Sequence, residues 1–580
     1  MSDPSISPAR GALAVLVRPR PVWLLLAVSF AIGSVPVLAS LPWSFVLGGG
    51  TYWSSPPGGP FIEGPFDAAQ ATIGYLRFQT ADWSFPLLRV AELGPEGTSI
   101  TWLDGVPAVS LLGRFVYLLT GQAVNLLGLY MALCLVLPGV MLALALALLG
   151  ERHLLAALAA GAMGSAVPFL WFRWGHLGHF SHFLLVAALV LYIAGVRASG
   201  PGDARTWRRL GWAWAGLLSV AMLLNIYIAA MAGGVWAAAL ARRWWRGEAA
   251  GRALLAQAVA TTLGIGVLAL AMGVIGAGAH PFSAGFGRWS LNLAGPFVPQ
   301  ISGLVPGTER FIVGHYSQYE GYAYLGAGNL LLLACAAPVL WRWLRAQGRE
   351  HWPLLAVLAG SVAFALSHQV YLGPWRVLGV PLPDLVVSGL GIFRSSGRFF
   401  WLVGYALILA GLVGVLRGYR PAVAAAILAV ACVAQVVDVA PLRAAVAENA
   451  RSARTVGFDL PWVTARVARA DAAVVLPSWS CVERQVRAGA LPGWRLEDLH
   501  GVDLDVQLAA ARLRRPVYSV YHARPTTDCR AEQAMMQAPL RRGAAYFYTT
   551  GYRPSAEQLG GRAVAEVCEE RRWLLVCQLP

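Results

Sequence analysis

Residues 121–149, "GQAVNLLGLYMALCLVLPGVMLALALALL", contain no charged side chain. A segment this long and apolar can pair its own backbone as a helix inside hydrocarbon, and a helix that is hydrophobic all round is not a surface helix. Comparable runs recur at 21–41, 154–171, 182–197, 210–224, 226–241, 253–275, 326–341, 353–368, 398–416 and 421–440. The pattern predicts a polytopic α-helical membrane protein with about eleven transmembrane helices. Residues 210–241 are short for two crossings, so a hairpin turning near "LNIYI" is expected there. With 57% hydrophobic and 13% charged residues and a mean hydropathy of +0.58, a soluble fold is excluded.

Basic residues outnumber acidic ones by 45 to 29, and all are arginine. A charge of +16 could point to nucleic acid. Many of these arginines, however, sit in short loops between apolar runs, at 18–20, 152, 205–209, 242–252, 342–349 and 417–420. There they read as an orientation signal, and nucleic acid is not an expected partner. One side then holds all these loops and the amino terminus; that side is cytoplasmic. The first apolar run, which ends in small residues like a cleavable signal, is taken as an uncleaved span. The other side receives long segments at 42–120, 276–325 and 369–397 and the tail. The expected organisation is a membrane domain over 1–440 and an external domain over 441–580.

The tail reads as α/β: "AAVVLP", "PVYSVYHA", "AAYFYTT" and "RWLLVCQL" are strand-like, and "VDLDVQLAAARLRR" is helical. It carries Cys481, Cys529, Cys568 and Cys577, whereas Cys134, Cys335 and Cys432 lie in apolar runs. Without a close C-x-x-C pair, disulfides are favoured over zinc. Of three connectivities, Cys568 with Cys577 and Cys481 with Cys529 are taken, although spacing alone does not choose.

The external segments hold the candidate chemistry. The first contains Glu63, Asp67, Asp82, Glu92, Glu96 and Asp104 among aromatics and leucines that suit helices in the interface plane. Glu92 and Glu96, beside glycines and a proline, read as solvated loop charges. Asp67 and Asp104 are embedded in apolar sequence, where an unpaired carboxylate is costly. "WFRWGHLGHFSHF" places Arg173, His176, His179 and His182 at the outer mouth of the bundle. Metal ligation and hydrogen bonding between helices would look alike there, and His179 and His182, three apart, could share a helical face. "GFGRWSLNLAGPFVPQ" and "GHYSQYEGYAYLGAGN" contribute Arg288, Asn292, Gln318 and Glu320, which suit a polyhydroxylated ligand; an ordered loop anchored by its aromatics is the alternative. In "GIFRSSGRFFW", Arg394 and Arg398 stand on the outer side against the usual charge bias, as a clamp for a lipid-borne phosphate would. Asp438 closes the last span as an arginine partner or a cap.

Asp67-x-x-Gln70 with Gly74, "DWSFPL", "GTSITWLDGVPAVSLL", "RWGHLGHFSHF", "GFGRWSLNLAGPFVP", "YEGYAYLG" and "FRSSGRFFW", in that order, resemble an uncharacterised family of polytopic bacterial membrane proteins related to the GT-C glycosyltransferases. The resemblance covers most of the chain. It implies a GT-C-like fold in the bacterial inner membrane, with the tail external, and a sugar transferred on the external face from a polyprenyl-phosphate donor to a glycan, lipid or protein acceptor. It places Asp67 where those enzymes keep their catalytic carboxylate, with Asp104 as a second acid. Gln70, His176, His182, Glu320, Arg394 and Arg398 match the family's polar pattern, and Arg173 joins Arg394 and Arg398 on the donor phosphate. The resemblance leaves the cofactor open and allows a divalent ion, magnesium or manganese, bridging acid and phosphate and held by Asp67, His176 and His182. Two departures weigh against histidine–metal chemistry: Ala71 stands where a histidine is expected after Gln70, and Asn225 where one is expected near Tyr227. A transporter or flippase for lipid-linked sugars is the rival expectation, and a non-catalytic envelope scaffold another. The chain shows no internal repeat and its acids concentrate outside, which disfavours transport.

Overall fold

The structure is a computed structural model that describes residues 15–48, 66–94, 97–198, 204–275, 285–306, 314, 316–451, 458–487, 489, 496–520 and 528–580. Eight of its helices are long and apolar enough to cross a bilayer: Val22–Ser40, Leu127–Leu148, Leu154–Trp171, Leu177–Arg197, Gly251–Met272, Ala327–Gln347, Ser396–Gly418 and Pro421–Asp438. The protein is a multi-pass membrane protein. The remaining three expected spans are also helical. Ala204–Leu224 and Ile226–Trp245 pack together as the anticipated hairpin, and Trp352–Leu366 has only 15 residues. The hairpin turns at Asn225, whose extended backbone breaks the helix and whose Oδ1 accepts from the Tyr227 N–H at 2.9 Å.

Lipid offers no hydrophobic drive between helices, so close backbone packing must hold them. Gly139 and Gly164 provide it between Leu127–Leu148 and Leu154–Ser165: a Cβ on Gly164 would lie 2.4 Å from the Gly139 Cα. The Val22–Ser40 helix packs against both. The arginine loops collect at one end of the bundle. There the Arg20 N–H donates to the Arg152 carbonyl at 2.6 Å, Arg417 pairs with Glu151 at 2.9 Å, and Arg242 pairs with Glu248 and Glu350.

At the opposite end, the Phe66–Thr80 helix is held on two sides. Gly74 abuts Leu103 and Ile100 of the 3₁₀ turn Ile100–Leu103, and Ala69 and Ile73 pack on Leu504, Leu508 and Ala511 of the tail helix Leu496–Leu513. The tail sheet runs in the order Ala472–Leu476, Ala544–Tyr548, Leu574–Gln578, Cys568–Arg571, with the first pair parallel and the others antiparallel. Of the described residues of "PVYSVYHA", Val517 alone bridges in parallel, on one side to Ala473 and on the other to Leu93 of the first external segment. The tail sheet therefore continues into the loop that carries the candidate acids. Disulfides join Cys481 to Cys529 and Cys568 to Cys577. The second pair crosses directly between neighbouring strands, and Cys568–Arg571 is a strand the charged sequence "CEER" conceals. The Ala440–Arg451 helix packs on the membrane bundle through Leu442 and Val446, ahead of the α/β unit.

Candidate functional site

Two segments with little regular structure approach each other at this end of the bundle. Gly397 follows Ser396 in the turn before the Phe400–Gly418 helix, and a Cβ there would lie 2.5 Å from the Gly321 Cα. Only glycine permits that approach. It sets Arg398 beside Glu320, which lies on the 3₁₀ segment Tyr316–Gly321. Arg398 donates to Glu320 from Nε at 3.1 Å and from one terminal nitrogen to both carboxylate oxygens at 2.8 and 2.7 Å. Arg173 donates to the same carboxylate at 2.8 Å and to the Tyr319 carbonyl at 3.3 Å. All three side chains are buried. Charges this deep are tolerable only when paired, and a forked carboxylate between two guanidiniums is a strong way to pair them.

His176 and His179 join this cluster. Residues three apart eclipse in a 3₁₀ helix, and across the Leu177–Phe180 turn the two rings stack with centroids 5.3 Å apart. His179 touches Arg398 through Nε2 and lies 2.7 Å from the Asn225 amide through Nδ1. Tyr227, two residues further, accepts from the Ser395 N–H at 3.2 Å and lies under the Arg398 guanidinium at 5.1 Å. His179, singled out with the other histidines at the outer mouth, lies in the site, and so do Asn225 and Tyr227, which the sequence reading did not assign to it. Their signal was the Asn225 cap, which breaks an apolar hairpin at the level of the arginines.

Asp104 closes the group. Its left-handed backbone (φ 52°) ends the Ile100–Leu103 turn, and its carboxylate lies 3.9 Å from His176, whose other nitrogen is 3.9 Å from Glu320. Burial alone would raise the Asp104 carboxyl, but His176 with the Arg398 and Arg394 guanidiniums outweighs it and holds it below the usual carboxylate range. With 35% of its side chain exposed, Asp104 is the most open member of the group. Arg394 turns to the Trp289 ring, 4.7 Å away, because the backbone between it and Arg398 leaves the helical region at Ser395.

Other expected residues fall elsewhere. His182 is enclosed by Phe169, Trp401 and Tyr405 and reaches the Tyr405 hydroxyl at 3.3 Å, so it is a packed core histidine and not a partner of His176. Asn292 and Gln318 meet each other at 3.2 Å but use their amides to staple loops, at Gly373 and Ala294 and at Gly314 and Ser290. Arg288 is exposed. Gln70 is 1% exposed, and neither end of its amide has a hydrogen-bond partner. Asp67 is the second residue of the Phe66–Thr80 helix, one turn before Gln70; its side chain, with Glu63 and Glu96, lies outside the described residues.

Of the expected metal set, the Asp67 side chain lies outside the described residues, and His176 and His182 do not meet. His182 is sealed away, Asp104 and Glu320 each face guanidinium groups, and among the described residues no three His, Cys, Asp or Glu side chains gather as ligands. The arrangement can hold an anion: three arginines face two carboxylates at the edge of a bilayer.

The fold is similar to the crystal structure of ArnT from Cupriavidus metallidurans in the apo state, with 14% identity, 96% of this chain and 97% of that chain covered, and a TM-score of 0.45. No curated protein matches the sequence. Residues 30–440, most of the chain and every residue of the ion-pair cluster, match the family described as "Domain of unknown function (DUF6311)", and the protein belongs to that family.

Proposed function

We propose that the protein is a membrane glycosyltransferase that moves a sugar from a polyprenyl-phosphate donor to a glycan, lipid or protein acceptor at the external face of a bacterial inner membrane. The observation that carries this reading is the joining of Arg173, Arg398, Glu320, His176 and Asp104 in one cluster, opposite the arginine-rich end of the bundle. A lipid phosphate is the anion that reaches a bilayer-edge site without leaving the membrane.

In this mechanism Asp67 takes the proton of the acceptor hydroxyl as its oxygen bonds to the anomeric carbon. The bond from that carbon to the donor's phosphate oxygen breaks in the same displacement, the configuration inverts, and the charge left on the lipid phosphate is met by Arg394, Arg398 and Arg173. Glu320 keeps the two buried guanidiniums oriented before the donor arrives. Asp104, ionised beside them, orients the acceptor or shares the proton.

The test compares lipid-linked sugars from membranes with and without the protein by mass spectrometry, alongside Asp67→Asn and Arg398→Ala proteins that insert normally. A glycan lost and a lipid-linked precursor accumulated in all three deficient cases is the expected result. Transfer that survives both substitutions would count against an enzyme, and flipping of the lipid-linked sugar without transfer would favour the transporter.

A further inference from the structure

The segment between Ser367 and Phe393, which overlaps the external segment expected over 369–397, has features that do not belong in water. We propose that it lies in the external leaflet, at the boundary between headgroups and chains, with lipid chains covering its apolar face. This placement does not depend on the glycosyltransferase reading.

Length is the first argument. The Trp352–Leu366 helix starts at the basic end of the bundle, where His351 meets the Tyr192 hydroxyl at 2.9 Å and Glu350 pairs with Arg242. Fifteen residues rise only about 22 Å, against a hydrocarbon core of roughly 30 Å. A chain leaving this helix at Ser367 is therefore still at lipid depth.

Composition and exposure agree with that depth. Arg376 and Asp384 are the only Arg, Lys, Asp or Glu residues from Ser367 to Phe393. Trp375 is 66% and Leu385 86% exposed, and Leu372, Val377, Leu378 and Val386 are exposed with them. An apolar patch of this kind is unfavourable in water and marks an interaction surface. The 285–306 segment, which meets the hairpin where the Leu293 N–H donates to the Tyr371 carbonyl, carries exposed apolar residues of its own towards a neighbouring span. Val433 and Val437 of Pro421–Asp438 are exposed, Gly303 packs on the Val437 carbonyl, and the neighbouring Leu304 and Phe297 are exposed in turn.

The backbone is organised for low water. Gln369–Leu372 pairs antiparallel with Trp375–Gly379, the Leu293 N–H donates to the Tyr371 carbonyl at 2.9 Å, and the Val380 N–H donates to the His368 carbonyl at 2.9 Å. The outer edge at 375–379 has no partner strand in this sheet, which sets the depth at the interface rather than the bilayer centre. Arg376, on that edge, can reach the headgroups along its own stem. The segment runs straight into Arg394, so a lipid whose chains lie on the hairpin brings its phosphate to the arginine cluster.

The experiment uses the full chain in nanodiscs, with Cys134, Cys335 and Cys432 replaced by alanine. Leu385→Cys and Val377→Cys are compared with Glu557→Cys, an exposed tail position. A charged, membrane-impermeant maleimide should react about tenfold more slowly at 385 and 377 than at 557, and a fluorophore at 385 or 377 should be quenched by lipids spin-labelled near the headgroup, as expected for an interfacial apolar face. Reaction as fast as at 557 without lipid quenching would overturn the proposal. So would slow reaction without lipid quenching, which would mean that protein covers the face. Either of the two test positions suffices if the other variant does not fold.

Discussion

Replacing Glu320 by glutamine keeps the side-chain shape and removes one charge from the buried cluster. The Glu320 carboxylate receives four charge-assisted hydrogen bonds, one from Arg173 at 2.8 Å and three from Arg398 at 3.1, 2.8 and 2.7 Å. Glutamine offers one acceptor oxygen and turns an NH₂ donor towards a guanidinium, so two buried cations lose their counter-charge. Removing one partner of a buried pair costs about 3–5 kcal/mol. At roughly 2 °C per kcal/mol for a long chain, the melting temperature should fall by about 6–10 °C. The measurement is intrinsic fluorescence during heating in mild detergent at one fixed scan rate, since membrane proteins of this size seldom refold. The paired variant Glu320→Gln with Arg398→Gln leaves a single guanidinium and should recover part of the loss. A melting temperature within about 2 °C of the parent, or strictly additive losses in the double variant, would refute the claim that Glu320 holds these arginines.

Asp104 is held below the ordinary carboxylate value by His176, Arg398 and Arg394. Its stabilising contribution is therefore complete above about pH 4 and is lost as pH falls through its lowered value, so the stability gap between parent and Asp104→Asn should be constant from neutral pH to about pH 5 and close in stronger acid. Burial first, and then the neighbouring Asp459 charge, raise the Asp505 carboxyl to about 7 against the backbone hydrogen bonds that lower it. Here the sign reverses: the folded tail keeps a proton that the unfolded chain releases, stability falls between about pH 4 and the folded value, and Asp505→Asn should flatten that slope in thermal melts. The Cys481–Cys529 bridge spans 48 residues and the Cys568–Cys577 bridge 9. On loop entropy they contribute about 4 and about 2.5 kcal/mol, so serine replacement of the first pair should lower the melting temperature more. Gly397→Ala, which drives a methyl into the Gly321 backbone, should lower the melting temperature and transfer together.

What could be read from sequence depended on how directly each residue's physics appears in it. Arg173, Glu320 and Arg398 stood out as charges at the outer mouth and in the external segments, read as a phosphate clamp and a ligand for hydroxyl groups, and in the structure they pair with one another. His182 misled because the reading assumed α-helical spacing. The chain instead makes a 3₁₀ turn through Leu177–Phe180, so His179 faces Arg398 and His182 turns into the bundle. Asn292 and Gln318 looked like ligands for hydroxyl groups, yet a long loop at a membrane surface needs its own amides for stapling. The 369–397 segment was read only as an external connection because it lies between two apolar runs. Its exposed apolar hairpin became visible only with the strands in place.

The tail connects these observations. A carboxylate carried on a surface segment is a poor catalyst unless its backbone is fixed, because small displacements at a reacting centre cost large factors in rate. The first external segment is gripped on two sides. Leu93 joins the tail sheet through Val517, with the Val517 N–H donating to the Glu92 carbonyl at 2.9 Å and the Gly94 N–H to the Val517 carbonyl at 2.8 Å. The tail helix covers Ala69 and Ile73, and Arg514 at its end donates to the Tyr117 hydroxyl at 3.0 Å. The helix that begins with Phe66 and Asp67 is thus wedged between the membrane bundle and an α/β unit braced by disulfides. An enzyme built this way would use its tail as the backing for the acid, and loosening the tail by reduction or mutation would slow transfer while leaving the Arg173–Glu320–Arg398 cluster intact.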